Sequence, residues 1–217
     1  MEKAIQIQFG QQVIELLANL ARSDLKLPDA LAREEFAHVT DARIRRALAQ
    51  VFYGVRWIYK LGLALLFKDE ERAAHIRTQI VDYASICEAL LSFCVGHAIS
   101  HGLARGESYK WKYPDKREGP LRWGPGSPDP LLRKQGLYWL VRVAEEFGII
   151  GADLAEHLQW LRTERNAIHI RERVAMGSQA YLAESKKAYE LVYEVIRETK
   201  LWMAAQEKAP RGRTACS

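Results

Sequence analysis

The sequence predicts an all-α fold, a helical bundle, and three observations carry that expectation. Apolar residues recur at the spacing of a helix along most of the chain, no stretch alternates with the two-residue period of a strand, and helix start and stop signals fall at the edges of the periodic segments. Read this way, helices are expected at 2–23, 29–37, 40–67, 70–101, 130–147, 151–169 and 178–207. No internal repeat is visible.

The first helix follows Met1-Glu2-Lys3-Ala4-Ile5-Gln6, which has neither the apolar core nor the small-residue cleavage site of a signal peptide. Periodicity alone supports 29–37. Thr40-Asp41 can cap 40–67, whose stretch Val51 to Phe67 is the most apolar run. That run contains Arg56 and Lys60 and is short for a bilayer, so it reads as a core helix. With Arg43, Arg45 and Arg46, these two cations make the helix basic, first as a solvated face and second as an attraction for phosphate.

Asp69-Glu70-Glu71 supplies the acidic first turn of 70–101, and Gly102 ends it. Pro130 suits the first position of 130–147, Gly148 stops it, Gly151 marks the start of 151–169, and Gly177-Ser178 opens the last helix. Between Gly102 and Asp129, four of the seven prolines forbid a helix. The expected organisation is an N-terminal helical extension over 1–69, a bundle over 70–208 with a long basic and aromatic loop at 102–129, and a flexible tail over 209–217.

A chain of 217 residues, 48% hydrophobic and 27% charged, can bury a sizeable core. Its net charge of +5 and pI near 9.1 favour an anionic partner. Three cysteines, Cys87, Cys94 and Cys216, give no disulfide framework and point to a reducing compartment, the cytoplasm. Absent glycine-rich phosphate loops, HExxH and nucleophile-elbow sequences argue against NTPase, zinc-protease and α/β-hydrolase activities.

The densest chemistry lies in Leu161-Arg162-Thr163-Glu164-Arg165-Asn166-Ala167-Ile168-His169. At about 100° per residue, Arg162, Arg165, Asn166 and His169 share one helical face, and Arg165 falls within the apolar arc that Leu154, Leu158, Leu161 and Ile168 define. A guanidinium at a buried edge needs a carboxylate, an interface or an anionic ligand. His169 suits proton transfer near neutral pH, and arginine's planar fork suits two phosphate oxygens.

In this stretch the chain resembles the HEPN superfamily, helical bundles whose signature is an arginine followed four to six residues later by a histidine, commonly with a polar residue directly after the arginine. Arg162 has six residues before His169 and matches the spacing. Arg165 has the polar neighbour Asn166 but only three intervening residues, so both registers stay open. The resemblance covers roughly 70 to 205. It implies a HEPN-like bundle, a homodimer whose composite cleft joins two motifs, and metal-independent RNA cleavage without a cofactor, yielding a 2′,3′-cyclic phosphate and a 5′-hydroxyl. Many resembling proteins serve as toxins or in anti-phage defence, where an antitoxin or regulatory protein is a further partner.

On this reading His169, Arg162, Arg165 and Asn166 are the catalytic set, with Glu88 as a supporting carboxylate that orients them. RNA contacts fall to Lys110, Trp111, Lys112, Arg117, Arg122 and Trp123, where cations interleave with stacking faces as single strands require. The alternative is a non-catalytic module of the same bundle that binds RNA, a nucleotide or a partner protein. A structural reading pairs Arg165 with Glu88 and leaves His169 as a helix-end residue favoured by the dipole. Cys87, Cys94, His97 and His101 share one side of 70–101, yet their spacing suits buried core residues better than a metal site, and no membrane segment is expected.

Overall fold

The structure, a computed structural model, describes residues 10–103, 132, 135–167 and 182–208. Among the described residues there are seven helices and no strand. They are α1 (Gln11–Arg22), α2 (Pro28–Glu34), α3 (Ala42–Ala64), α4 (Asp69–Ser100), α5 (Leu137–Glu146), α6 (Ala152–Asn166) and α7 (Leu182–Lys208). The protein is therefore all-α, a helical bundle. The chain divides into two compact units, Met1–Ile86 with Thr163–Val192, and Cys87–Arg162 with Tyr193–Ser217.

Within the first unit, α1 and α2 both lie against α3. Pro28 starts α2, where its missing N–H costs nothing, and Lys26 bridges back to Glu34 at 2.7 Å and Glu35 at 3.0 Å. Asp41 caps α3 as its position predicts, its carboxylate accepting from the N–H groups of Arg43 at 2.8 Å and Ile44 at 3.2 Å. Those two bonds hold the Asp41 carboxyl below its usual pKa.

The core of this unit is aromatic. Phe52 meets Phe36 edge-on at 6.0 Å and stacks parallel to Tyr189 at 6.1 Å, while Tyr83 lies 5.9 Å from Tyr189. The Arg56 guanidinium sits 4.3 Å from the Tyr189 ring centre and 5.3 Å from that of Tyr59. Arg56 is thus half-buried among rings, which corrects the solvated-face expectation at this residue, while Arg43 and Arg46 are exposed as expected. Burial pushes the Tyr83 hydroxyl up to about 12, with Arg56 opposing the shift.

The turn from α3 into α4 is tight. Leu66 takes a left-handed φ of 54° with its side chain 75% exposed, and Phe67 N–H reaches back to Gly62 O at 3.2 Å. Arg72 Nε then donates to Phe67 O at 3.0 Å, tying the first turn of α4 to the bend.

The second unit is built on α5 and α6 with the ends of α4 and α7. Trp139, Leu140 and Val143 of α5, Leu154, Leu158 and Leu161 of α6, and Val195 and Trp202 of α7 are all buried. The glycine stops read from the sequence act as expected at α4 and α5. Gly148, at φ 64°, donates to Glu145 O at 3.0 Å and Ile149 to Ala144 O at 2.8 Å, the paired bonds that close a helix through a left-handed residue. Gly102, at φ 66°, repeats the pattern, with Leu103 donating to Ala98 O at 2.9 Å.

One expectation needs correction. The helix expected over 130–147 is described as α5 only from Leu137, because Gly136 is extended, with ψ of 171°. Among the described residues one helix is long and apolar enough to cross a membrane by length and composition, α4 over Glu70–Ser100. That window has mean hydropathy 1.3 and is 61% buried by the fold, as a core helix would be.

Leu66 provides a test of this geometry, since a left-handed φ is tolerated by asparagine and strongly disfavoured for β-branched residues. Thermal melts should rank Leu66→Asn at or above wild type and Leu66→Val below it by about 1 kcal/mol. The reverse order would show that the bend is not left-handed at this residue.

Candidate functional site

Of the residues singled out by sequence, Arg162, Arg165 and Asn166 lie on α6, an amphipathic helix whose buried residues include Leu154, Ala155, Leu158 and Leu161. Their spacing turns the apolar stripe inward and carries Arg162 to the edge of it, half-buried. Arg162 Nε donates to Gln159 Oε1 at 3.0 Å, and Gln159 Nε2 lies 3.5 Å from the carbonyl of Tyr138 on α5. The Arg162 guanidinium also lies over the Tyr138 ring, 4.8 Å from its centre.

Tyr138 and Gln159 thus fix the direction of Arg162 without removing its charge. Both are neutral partners, and no ion pair to Arg162 occurs among the described residues. Sequence reasoning missed both. Gln159 was legible, three residues before Arg162 on one helix. Tyr138 was not, because only the packing of α5 on α6 brings it there.

Arg165 and Asn166 lie in the last turn of α6, where a cation is favoured by the carbonyl end of the helix. Arg165 is half-buried, as its place in the apolar arc predicts, and Asn166 is exposed. Between Arg162 and Arg165 stands Glu164, whose carboxyl is held above its usual pKa first by burial and then by Glu184, with Lys187 opposing. Glu164 is an acid–base group in the motif itself that the sequence reading did not weigh. Glu88 is half-buried on α4.

His169 lies outside the described residues, as do the RNA-contact candidates Lys110, Trp111, Lys112, Arg117, Arg122 and Trp123. The expected cap Ser178 and stop Gly177 fall there too.

Cys87 and Cys94 are free and fully buried on α4. Burial drives the Cys87 thiol far up and the Cys94 thiol up to about 12, so both behave as small apolar residues. His97 and His101 stack at 3.9 Å, with His101 Nδ1 2.9 Å from His97 O, and Trp202 meets His97 edge-on at 6.0 Å. Among the described residues no group of three or more His, Cys, Asp or Glu side chains could hold a metal ion.

Comparisons of the chain with protein-family models, with curated proteins and with solved structures find no match. The site must therefore be argued from its own chemistry.

His97 gives the stability of the second unit a pH signature. Burial, aided by the neighbouring His101 charge, holds its pKa below the ordinary 6.5, with Glu207 opposing. The unfolded chain therefore binds the proton more readily than the folded one, and stability falls as pH drops through 6.5 and below. Urea midpoints at pH 7.5 and 5.0 should show this loss, and His97→Gln should make it smaller. An identical pH slope in the variant would remove His97 as its source.

Proposed function

We propose that this protein is a metal-independent endoribonuclease of HEPN type, cytoplasmic and homodimeric, acting in a toxin or anti-phage defence setting. The observation that carries the reading is Arg162. Its guanidinium is oriented by Tyr138 and Gln159, neither of which neutralises it, at the end of the helix that leads to His169. A preoriented cation loses little freedom when it grips a phosphate, and it opposes the charge that accumulates in a pentavalent transition state.

In this reading Arg162 and Arg165 hold the non-bridging oxygens of the scissile phosphate. His169 removes the 2′-hydroxyl proton in one protomer, and its symmetry mate protonates the leaving 5′-oxygen. Asn166, exposed in the last turn of α6, donates to the phosphate or fixes the imidazole. Attack by the 2′-oxygen forms the cyclic phosphate as the 5′-oxygen bond breaks, so no water or metal takes part in that step. Glu88 serves as the supporting carboxylate, and the basic aromatic loop with Lys110, Trp111, Lys112, Arg117, Arg122 and Trp123 supplies single-strand contacts.

The test is cleavage of single-stranded RNA in EDTA. Wild type should release 5′-hydroxyl products, and His169→Ala should lower the rate by about a hundredfold or more. Tyr138→Ala, which keeps every charge but removes the ring under Arg162, should reduce turnover more than Tyr138→Phe. Equal cleavage by wild type and His169→Ala rules the proposal out. Salt-sensitive RNA binding without turnover would replace it with the non-catalytic binding module.

A further inference from the structure

Where α3 turns into α4, within the first unit, the chain walls a cavity of about 300 Å³. Its walls are apolar, formed by Leu63, Leu66, Phe67 and Ile76, with Tyr59 beside them. It is a recess open on one side, where the exposed Leu63, Leu66, Lys68 and Arg72 meet solvent. Ligand sites begin at about this volume and are mostly apolar, with a few polar groups that set orientation.

Two such groups line it. Gln79 is only 1% exposed, and its Oε1 accepts from the Ser185 hydroxyl, which leaves Nε2 as a buried donor with no hydrogen-bond partner. His75, half-buried, is the second, and backbone carbonyls of Ile58 and Tyr59 on α3 answer its ring. The imidazole lies directly against Gly62, where an added Cβ would come within 2.3 Å of Nε2, so the wall exists in this form only with glycine there. Phe67 holds the other side of the ring edge-on at 5.1 Å. Native folds rarely leave buried donors unpaired unless a bound molecule completes them. Lys68 and Arg72 also line the cavity, and both are exposed, which places positive charge at its open side.

We propose that this cavity binds a small amphipathic carboxylate whose inner end carries a carbonyl oxygen that accepts from Gln79 Nε2, and whose acid group lies by Lys68 and Arg72. At about 30 Å³ for each water-sized group, the space takes a molecule of about ten non-hydrogen atoms. The apolar walls cover its chain, the amide N–H pairs its carbonyl, and the two cations stay hydrated while they hold the acid. The order matters: a carboxylate at the Gln79 end would be desolvated with only neutral partners, whereas a ketone or ester oxygen is satisfied by one N–H. This site is separate from Arg162 and does not depend on the ribonuclease reading.

The experiment is calorimetric titration of the full chain with three probes, 7-oxooctanoate, octanoate and octan-2-one. The expected result is saturable binding of 7-oxooctanoate with a Kd at or below about 0.5 mM, well short of the affinity ceiling for so few atoms. Octanoate, which lacks the inner carbonyl, should bind at least fivefold more weakly, and so should octan-2-one, which lacks the acid. Charge reversal at Lys68→Glu, which keeps the bond from Arg72 to Phe67 O, should weaken 7-oxooctanoate at least fivefold and leave octan-2-one unchanged. Gln79→Leu should erase the preference for the oxo acid over octanoate, with its fold checked by circular dichroism. The proposal is overturned if no probe saturates, if octanoate binds as well as the oxo acid, or if charge reversal leaves 7-oxooctanoate binding intact.

Discussion

The burial of α4 is the constraint that each of the two units meets in its own stretch. From Ile76 to Ile99 this helix buries Ile80, Tyr83, Ala84, Ile86, Cys87, Leu90, Leu91, Cys94, Val95 and Ala98, residues that point around much of its circumference rather than along one stripe. A helix of that kind cannot stand in water and must be covered by its neighbours. Each unit covers its own stretch: Tyr189 against Tyr83 and Phe67 against His75 in the first, Trp202 against His97 in the second. At roughly 25 cal/mol per Å² of apolar surface removed from water, this burial far outweighs the exposed ion pairs such as Lys26 with Glu34 or Lys186 with Glu190.

Such a core tolerates polar groups only when they are answered. Thr199, fully buried on α7, returns its hydroxyl to Val195 O at 2.6 Å on its own helix. Arg56 spreads its charge over the Tyr189 and Tyr59 rings, and burial raises the Tyr83 pKa, so that hydroxyl stays neutral beside it. Gly151 N–H donates to Glu198 Oε2 at 2.8 Å, so the N-terminus of α6 is closed by a carboxylate from α7 in the same unit. Against that pattern, the buried Gln79 amide keeps an N–H that no group among the described residues accepts.

The fold class was legible because a period near 3.6 survives along nearly the whole chain, and the punctuation was legible where one residue decides the backbone. Asp41, Gly102 and Gly148 act as their positions imply, since a capping carboxylate and a left-handed glycine work through bonds within a few residues. Gly136 was passed over because a glycine inside an apparently helical pattern is often tolerated; its extended ψ of 171° moves the start of α5 to Leu137. Side-chain partnerships were the least legible. Arg56 looked like part of a solvated face, yet its surroundings are set by Tyr189, 133 positions further along (189 − 56), which periodicity within one helix cannot reveal.

The same limit governs the candidate site, and it bears on how an arginine near a core should be read. A guanidinium held by a carboxylate has its charge cancelled and its fork filled, and such a pair is structural by default. Arg162 is held otherwise, by an aromatic face and a neutral amide, which restrict its rotamers while leaving its charge and its remaining N–H groups available. Its placement at the border of the apolar stripe lowers the local dielectric, so an incoming phosphate gains more there than at a fully solvated lysine. Sequence could place Arg162 at the border of the apolar stripe, but its contact with the ring of Tyr138, 24 positions earlier (162 − 138), is set by the packing of α5 on α6, which periodicity within one helix does not carry.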